Sequence, residues 1–268
     1  MSNSIQQFEE KPQLWTDIKA YLQNHIELTD ERQYDVLTAW IFADWIPEKW
    51  DTVPYLLFSG SKNTGKTHSL SILQSISYQS QVTVAPSFRT LLHMLDSGCT
   101  LFLDETAVGR QLIPQFITCL NAGYKRGSSI IIRFNSGTNS IEKFNVFGFK
   151  AIAGNSKKIP AALESRCITV HMMQNTRDVE MFVDEEQART LRARLLQWRL
   201  WALQNLTIPR TNKDLLQVLP KEFQEILNNR IIELFLPLYL AADDTEKQVI
   251  AEYAQSVYHS SQNEVKTP

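Results

Sequence analysis

Cysteine is scarce in this chain: three among 268 residues, Cys99, Cys119 and Cys167, odd in number and far apart. They match no zinc spacing and suit a reducing compartment. The five histidines share no metal-ligand spacing either. Long apolar runs are missing: stretches such as Leu234 to Ala242 are too short to span a bilayer, and the polar segment from Met1 to Lys11 has no signal-peptide core. Neither sign of charge dominates, with 27 Lys and Arg against 29 Asp and Glu, a net charge of -2 and a pI near 6.2. No overall basic field advertises nucleic acid, so any such binding is local. Internal repeats and low-complexity tracts are absent as well. The expectation is a soluble cytoplasmic protein, with no membrane partner, whose 43% hydrophobic content allows a sizeable core.

What is present begins at Gly60-Ser61-Lys62-Asn63-Thr64-Gly65-Lys66-Thr67, which satisfies G-x-x-x-x-G-K-[ST]. It is entered from the apolar run Tyr55-Leu56-Leu57-Phe58 and left through a helix-like stretch from Ser69 to Ile76. The spacing suits a strand that delivers backbone N–H groups to phosphates, with a helix N-terminus adding partial positive charge. Lys66 then supplies a full charge to the β and γ phosphates and Thr67 a hydroxyl to Mg²⁺, while His68 lends its backbone N–H. A glycine- and serine-rich surface turn is the bland alternative. The flanking strand and helix favour a nucleoside triphosphatase that uses ATP and Mg²⁺.

Thr100-Leu101-Phe102-Leu103-Asp104-Glu105 reads as an apolar strand ending in two carboxylates. In a parallel α/β sheet ligands sit beyond the carboxyl ends of strands, so Asp104 can lie beside the phosphate loop. There Asp104 would hold Mg²⁺, directly or through a water, and Glu105 would act as general base towards the attacking water. A solvated turn is the other reading of the same pair.

The pattern between and around these motifs alternates. Apolar residues at helical spacing fill 12 to 50, with Asp30 as a candidate cap. Strands are expected at 54–59, 81–85 and 99–104, with helices at 65–77, 87–97 and 112–122, a βαβ rhythm that argues a parallel sheet covered on both faces. A β-hairpin is expected where Ile130 to Phe134 and Ser140 to Phe147 flank Asn135-Ser136-Gly137-Thr138-Asn139. Further strands fall at 149–153 and 167–172. Helices follow at 184–205, 221–241 and 245–258, with a linker at Pro209 to Pro220 and a loose tail from Ser260. The implied organisation is a helical N-terminal segment (1–50), an α/β core (51–175) and a C-terminal helical lid (176–268).

Asn155 closes the 149–153 strand, where its amide can orient a water against the γ-phosphate or form a simple turn. Arg166, at the lip of the next strand, can reach a neighbouring subunit's γ-phosphate or pair locally with Glu164. Lys66, Glu105, Asn155 and Arg166 are therefore the candidate catalytic residues. Arg189, Arg192, Arg194 and Arg199 alternate with leucines on one helix, so most belong to a solvated face, with Arg192 the favoured phosphate contact among them. Trp198 and Trp201 read as core rather than as base-stacking platforms.

The order phosphate loop, Asp-Glu strand end, polar sensor, Ser165-Arg166-Cys167 and helical lid resembles the AAA+ superfamily, and the Ser-Arg-Cys triplet is similar to the arginine-finger motif of clamp loaders. A hairpin just before the sensor strand is similar to the pre-sensor hairpin of superfamily-3 and minichromosome-maintenance helicases. Leu120 to Gly127, Phe147 to Gly154 and Pro160 to Val170 resemble an ATPase family attached to primase and helicase proteins of phages, plasmids and integrated elements. The resemblance spans about residues 25 to 255. It implies an AAA+-like P-loop fold, a ring or transient oligomer of the chain with itself, and work on single- or double-stranded DNA beside replication proteins. One departure stands out: the turn 135–139 carries no Lys or Arg, which leaves Arg133, Lys143, Lys125 and Arg126 as the only nearby charges able to meet a phosphate backbone. A nucleotide-switched module that grips a protein partner is the rival reading, and a monomeric small-molecule kinase a weaker third.

Overall fold

An apolar run such as Tyr55-Leu56-Leu57-Phe58 forms a strand only where both faces of the sheet are covered. In the computed structural model, which describes residues 8–83, 86–104, 114–156, 159–224, 226 and 230–265, all four of these side chains are fully buried. They belong to β1 (Tyr55–Gly60), followed in chain order by β2 (Gln81–Thr83), β3 (Leu101–Leu103), β4 (Ile130–Asn135), β5 (Ser140–Asn145), β6 (Lys150–Gly154) and β7 (Cys167–Met172). Five of them make one parallel sheet in the order β2-β3-β6-β1-β7. The other two, β4 and β5, form an antiparallel hairpin in register from Ile130↔Asn145 to Asn135↔Ser140.

Of the helices that precede β1, α2 (Arg32–Asp44) packs on this sheet, and α1 (Lys11–His25) packs on α2, with Trp15 stacked on Phe42 at 5.3 Å. Trp40 on α2 meets Phe149 edge-on at 5.3 Å and Phe102 at 6.4 Å, and its indole N–H donates to the Pro54 carbonyl at 2.9 Å. Such contacts satisfy the polar end of each tryptophan while its rings fill the core. Then come α3 (Lys66–Ile76), α4 (Phe88–Asp96), α5 (Pro114–Ala122) and a short α6 (Ala161–Glu164). The hairpin's inner face lies on α4: Phe144 is buried with His93 edge-on at 5.1 Å, and Arg89 meets Glu142 at 3.3 Å.

The C-terminal third is α7 (Glu185–Asn205), α8 (Asn212–Val218), α9 (Lys221–Gln224), α10 (Arg230–Ala241) and α11 (Asp244–Val265). Three expectations need correction here. The helix expected at 221–241 is interrupted: Ile226 sits in a turn whose N–H reaches the Phe223 carbonyl at 3.2 Å, between α9 and α10. The linker between Pro209 and Pro220 contains α8, capped by the Thr211 hydroxyl accepting from the Asp214 N–H at 3.2 Å. Helix α11 also continues well past Ser260, where a loose tail was expected. Trp198 is fully buried, as expected of a core residue, and Trp201 stacks on it at 5.5 Å.

Asp44, at the end of α2, is fully buried beneath the sheet and accepts from the Thr100 hydroxyl and from the Tyr78 N–H at 2.8 Å. Burial outweighs these bonds and pushes its carboxyl from 3.8 up to about 7. The fold therefore binds a proton more tightly than the unfolded chain does, so this group's contribution is greatest at low pH and is lost as pH rises from about 4 to 7. Asp44→Asn cannot ionise. Urea midpoints measured across that range should show wild type losing stability relative to the variant as pH rises; parallel curves would mean that Asp44 does not titrate there.

Candidate nucleotide site

The carboxyl ends of parallel strands converge on one edge, and the register puts Gly60 beside Met172 and Ser59 beside Gly154. Gly60 is obligatory at this crowded point: a Cβ would lie 2.4 Å from the Met172 carbonyl oxygen and 2.8 Å from the Thr64 hydroxyl. The chain then turns through Asn63 at φ 62° and Gly65 at φ 81°, left-handed conformations that a glycine adopts without strain, before α3 begins at Lys66. A cavity of about 410 Å³ opens over the turn, lined by Lys62 to His68 and Asp104.

Within it, the Lys66 ammonium folds back on the loop, 3.1 Å from the Gly60 carbonyl and 2.5 Å from that of Ser61. The Thr67 hydroxyl lies 3.1 and 3.3 Å from the two Asp104 carboxylate oxygens. A hydroxyl and a carboxylate converging on this cavity are hard oxygen ligands of the kind Mg²⁺ takes, so the residues present fit that ion. His68 lines the cavity but directs its Nε2 to the His25 carbonyl at 3.0 Å, which ties α3 to α1.

Asn155 follows β6, the strand inserted between β1 and β3, so it emerges between the phosphate loop and Asp104. The exit of β6 is pinned by the Ser156 N–H donating to the Ser59 hydroxyl at 3.1 Å. Ser59 was passed over in the sequence, although a lone hydroxyl ending an apolar strand is a signal of such a tie. Glu105, expected beside Asp104, lies outside the described residues.

The chain shares this architecture with a solved structure. A full-length MCM homolog from Methanopyrus kandleri is similar with a TM-score of 0.55 at 11% identity, over 95% of this chain and 62% of that one. The fold is like that of part of this MCM homolog. At such identity the likeness concerns fold alone, and the chain spans less than two thirds of that protein's length. No protein-family model and no curated protein matches the chain. Among the described residues no helix is long and apolar enough to cross a membrane.

Arg166 is not part of the cavity. It precedes β7, and its carbonyl accepts from the Tyr55 N–H at the opposite end of β1, so the length of the strand, roughly 20 Å, separates it from the phosphate loop. It does not pair with Glu164. Its guanidinium donates to the Ala162 carbonyl, lies 5.7 Å from the ring centre of Tyr124, and keeps a buried Nε without a partner. Arg230, at the start of α10, approaches the same ring at 5.3 Å. Burial pushes the Tyr124 phenol up, so it stays neutral between the two cations.

Three of the four arginines of α7 are spent on packing. Arg192 donates to the Ser75 carbonyl at the far end of α3, Arg194 pairs with Asp17 at 2.5 Å, and Arg199 takes both Glu48 oxygens, at 2.8 and 2.5 Å. The phosphate contact expected of Arg192 is thereby corrected: the side chain reaches the C-terminal turn of α3, whereas the cavity lies at its N-terminus. Near the hairpin, Arg126 donates to the Trp50 and Pro47 carbonyls at 3.0 and 2.7 Å, which removes it from the charges able to face a ligand.

Charge-assisted hydrogen bonds contribute about 1.5–3 kcal/mol each, so Lys66→Ala should weaken ATP binding roughly 10- to 100-fold. Calorimetric titration with a slowly hydrolysed ATP analogue measures this, and unchanged affinity would remove Lys66 from the site.

Proposed function

We propose that the chain is a Mg²⁺-dependent ATPase that works as an oligomer, with each nucleotide between neighbouring subunits, and that hydrolysis is coupled to DNA remodelling or unwinding in the replication of a phage or mobile element. The observation that carries the ATPase reading is the meeting of Thr67 and Asp104 at 3.1 Å at the mouth of a glycine-turned phosphate cavity. In this reading Lys66 would leave the loop carbonyls for the β and γ phosphates, and Thr67 with Asp104 would hold a Mg²⁺ ion, whose positive charge would offset that of the phosphates. Asn155 orients the attacking water and Glu105 takes its proton.

Arg166 completes the site from the next subunit. Its distance from its own loop and a guanidinium held by one backbone carbonyl support a cation that can turn to another chain. The coupling to DNA leans on the AAA+-like fold and on the resemblance of Leu120 to Gly127 and Pro160 to Val170 to ATPases attached to primase and helicase proteins. One observation favours a second reading, a nucleotide-switched protein-remodelling or defence module without strand separation: the hairpin turn has no cation, and Arg126 is engaged elsewhere.

Glu105→Gln should bind ATP while turnover falls about 10²-fold or more, since an amide takes no proton. Arg166→Ala should bind ATP and lose about 10³-fold in turnover. Mixed with Lys66→Ala, which lacks the pocket but keeps the finger, it should regain partial activity; no recovery despite demonstrated subunit exchange would refute the trans arrangement. Stimulation of the wild-type rate by single-stranded DNA supports the first reading, and stimulation by a protein alone the second.

A further inference from the structure

The hairpin offers two unlike faces. Its inner face is packed on α4, while the outward residues, Ile130, Ile132 and Phe134 on β4 with Ile141, Lys143 and Asn145 on β5, are exposed, the four apolar ones by 52 to 67%. Contiguous apolar surface of this kind marks an interaction site rather than ordinary exposure. A second such surface follows β7. There the backbone is fastened to the end of α1: the Thr176 N–H and hydroxyl bond Glu27 at 2.6 and 2.5 Å, the Glu180 N–H donates to the Asn24 carbonyl at 2.9 Å, and the Phe182 carbonyl meets His25 Nε2 at 3.1 Å. Held in this way, Met181 and Phe182 still stand 76 and 83% exposed. Five carboxylates, Asp178, Glu180, Asp184, Glu185 and Glu186, flank them in the chain, against the one cation Arg177.

We propose that the outer face of the hairpin docks on the Met181–Phe182 surface of a second copy of this chain. The two surfaces match in chemistry: apolar centres, with the Lys143 ammonium on one side and the run of carboxylates on the other. They cannot meet within one chain. The hairpin lies on α4, the helix between β2 and β3, whereas the 173–186 segment continues from β7, and four strand spacings, roughly 19 Å, separate the two sheet edges. A contact between different patches is head-to-tail and builds a ring or a filament. His68 ties α3 to His25, so the docked neighbour would sit beside the phosphate loop. The inference rests on the oligomeric reading for its place in catalysis, while its evidence is the two surfaces themselves. It assigns the hairpin to protein contact, and a phosphate backbone is the competing occupant.

Two doubly substituted chains test it by sedimentation: Ile132→Asp/Phe134→Asp, which lacks a working hairpin face, and Met181→Asp/Phe182→Asp, which lacks the receiving face. All four positions are exposed, and unchanged thermal melts verify folding. Wild type should assemble with rising concentration, less so at high salt. Each variant alone should lose assembly about tenfold or more in apparent Kd, and their equimolar mixture should form dimers and nothing larger, because only one good interface can form. A folded hairpin variant that assembles like wild type overturns this contact while leaving an oligomeric ATPase intact. Failure of the Arg166 and Lys66 mixture beside normal assembly refutes the trans site and leaves the contact standing. A monomeric wild type overturns both, and a hairpin variant with unchanged mass but lost single-stranded DNA binding gives the face to nucleic acid.

Discussion

The two parallel ladders that hold β6 between β1 and β3 set the spacing on which the nucleotide edge depends. With β6 in place, the phosphate loop and Asp104 stand two strand separations apart, roughly 10 Å, wide enough for the first turn of α3 to enter. Thr67 on that turn then closes the remaining gap to 3.1 Å. Ala151 and Ala153 on β6 are fully buried, and a bulkier side chain at either would press on the layer covering that face of the sheet rather than on the neighbouring strands.

Rigidity behind this edge comes from aromatic packing and from arginines that satisfy carbonyls. Trp40, Trp45 and Trp50 each give their indole N–H to a backbone oxygen of a neighbouring element, at 2.9, 2.9 and 2.8 Å. Arg192 and Arg199 bind α7 to α3 and α2 in the same manner. Polar atoms so placed carry no ligand, and this explains why a helix rich in arginine contributes nothing to the cavity.

Local signals were readable in the sequence because they are local: the glycine turn, the apolar run before it, the hairpin and the period of α1 and α2 each depend on residues close in the chain. Asp104 was legible for the same reason, as a charge at the end of an apolar run, and the structure brings it to Thr67. The strand order was not legible, since parallel neighbours such as β3 and β6 are joined through a helix and a hairpin. The destinations of Arg126, Arg192 and Arg199 were hidden too, because a carbonyl acceptor leaves no mark in composition. Helix α8 did carry a signal, Thr211 with Asp214 three positions on, which the flanking prolines masked. The local pair of Arg166 with Glu164, the alternative to a role in a neighbouring subunit, is not formed, because nearness in sequence says little about which way a side chain turns at a strand entrance.

Lys150 begins β6, fully buried, its ammonium held by the carbonyls of Val146 and Gly148 at 3.1 and 2.8 Å and set 4.7 Å from the ring centre of Tyr55. Burial lowers it to about 8. Mechanically, this lysine is a rivet: it fastens the segment where the hairpin returns to the foot of β6, and the far end of the same strand carries Asn155. Five residues of hydrogen-bonded strand clamped on both sides transmit a push along their length with little flexing. The floor of the sheet and the mouth of the cavity are thus two ends of one stiff rod.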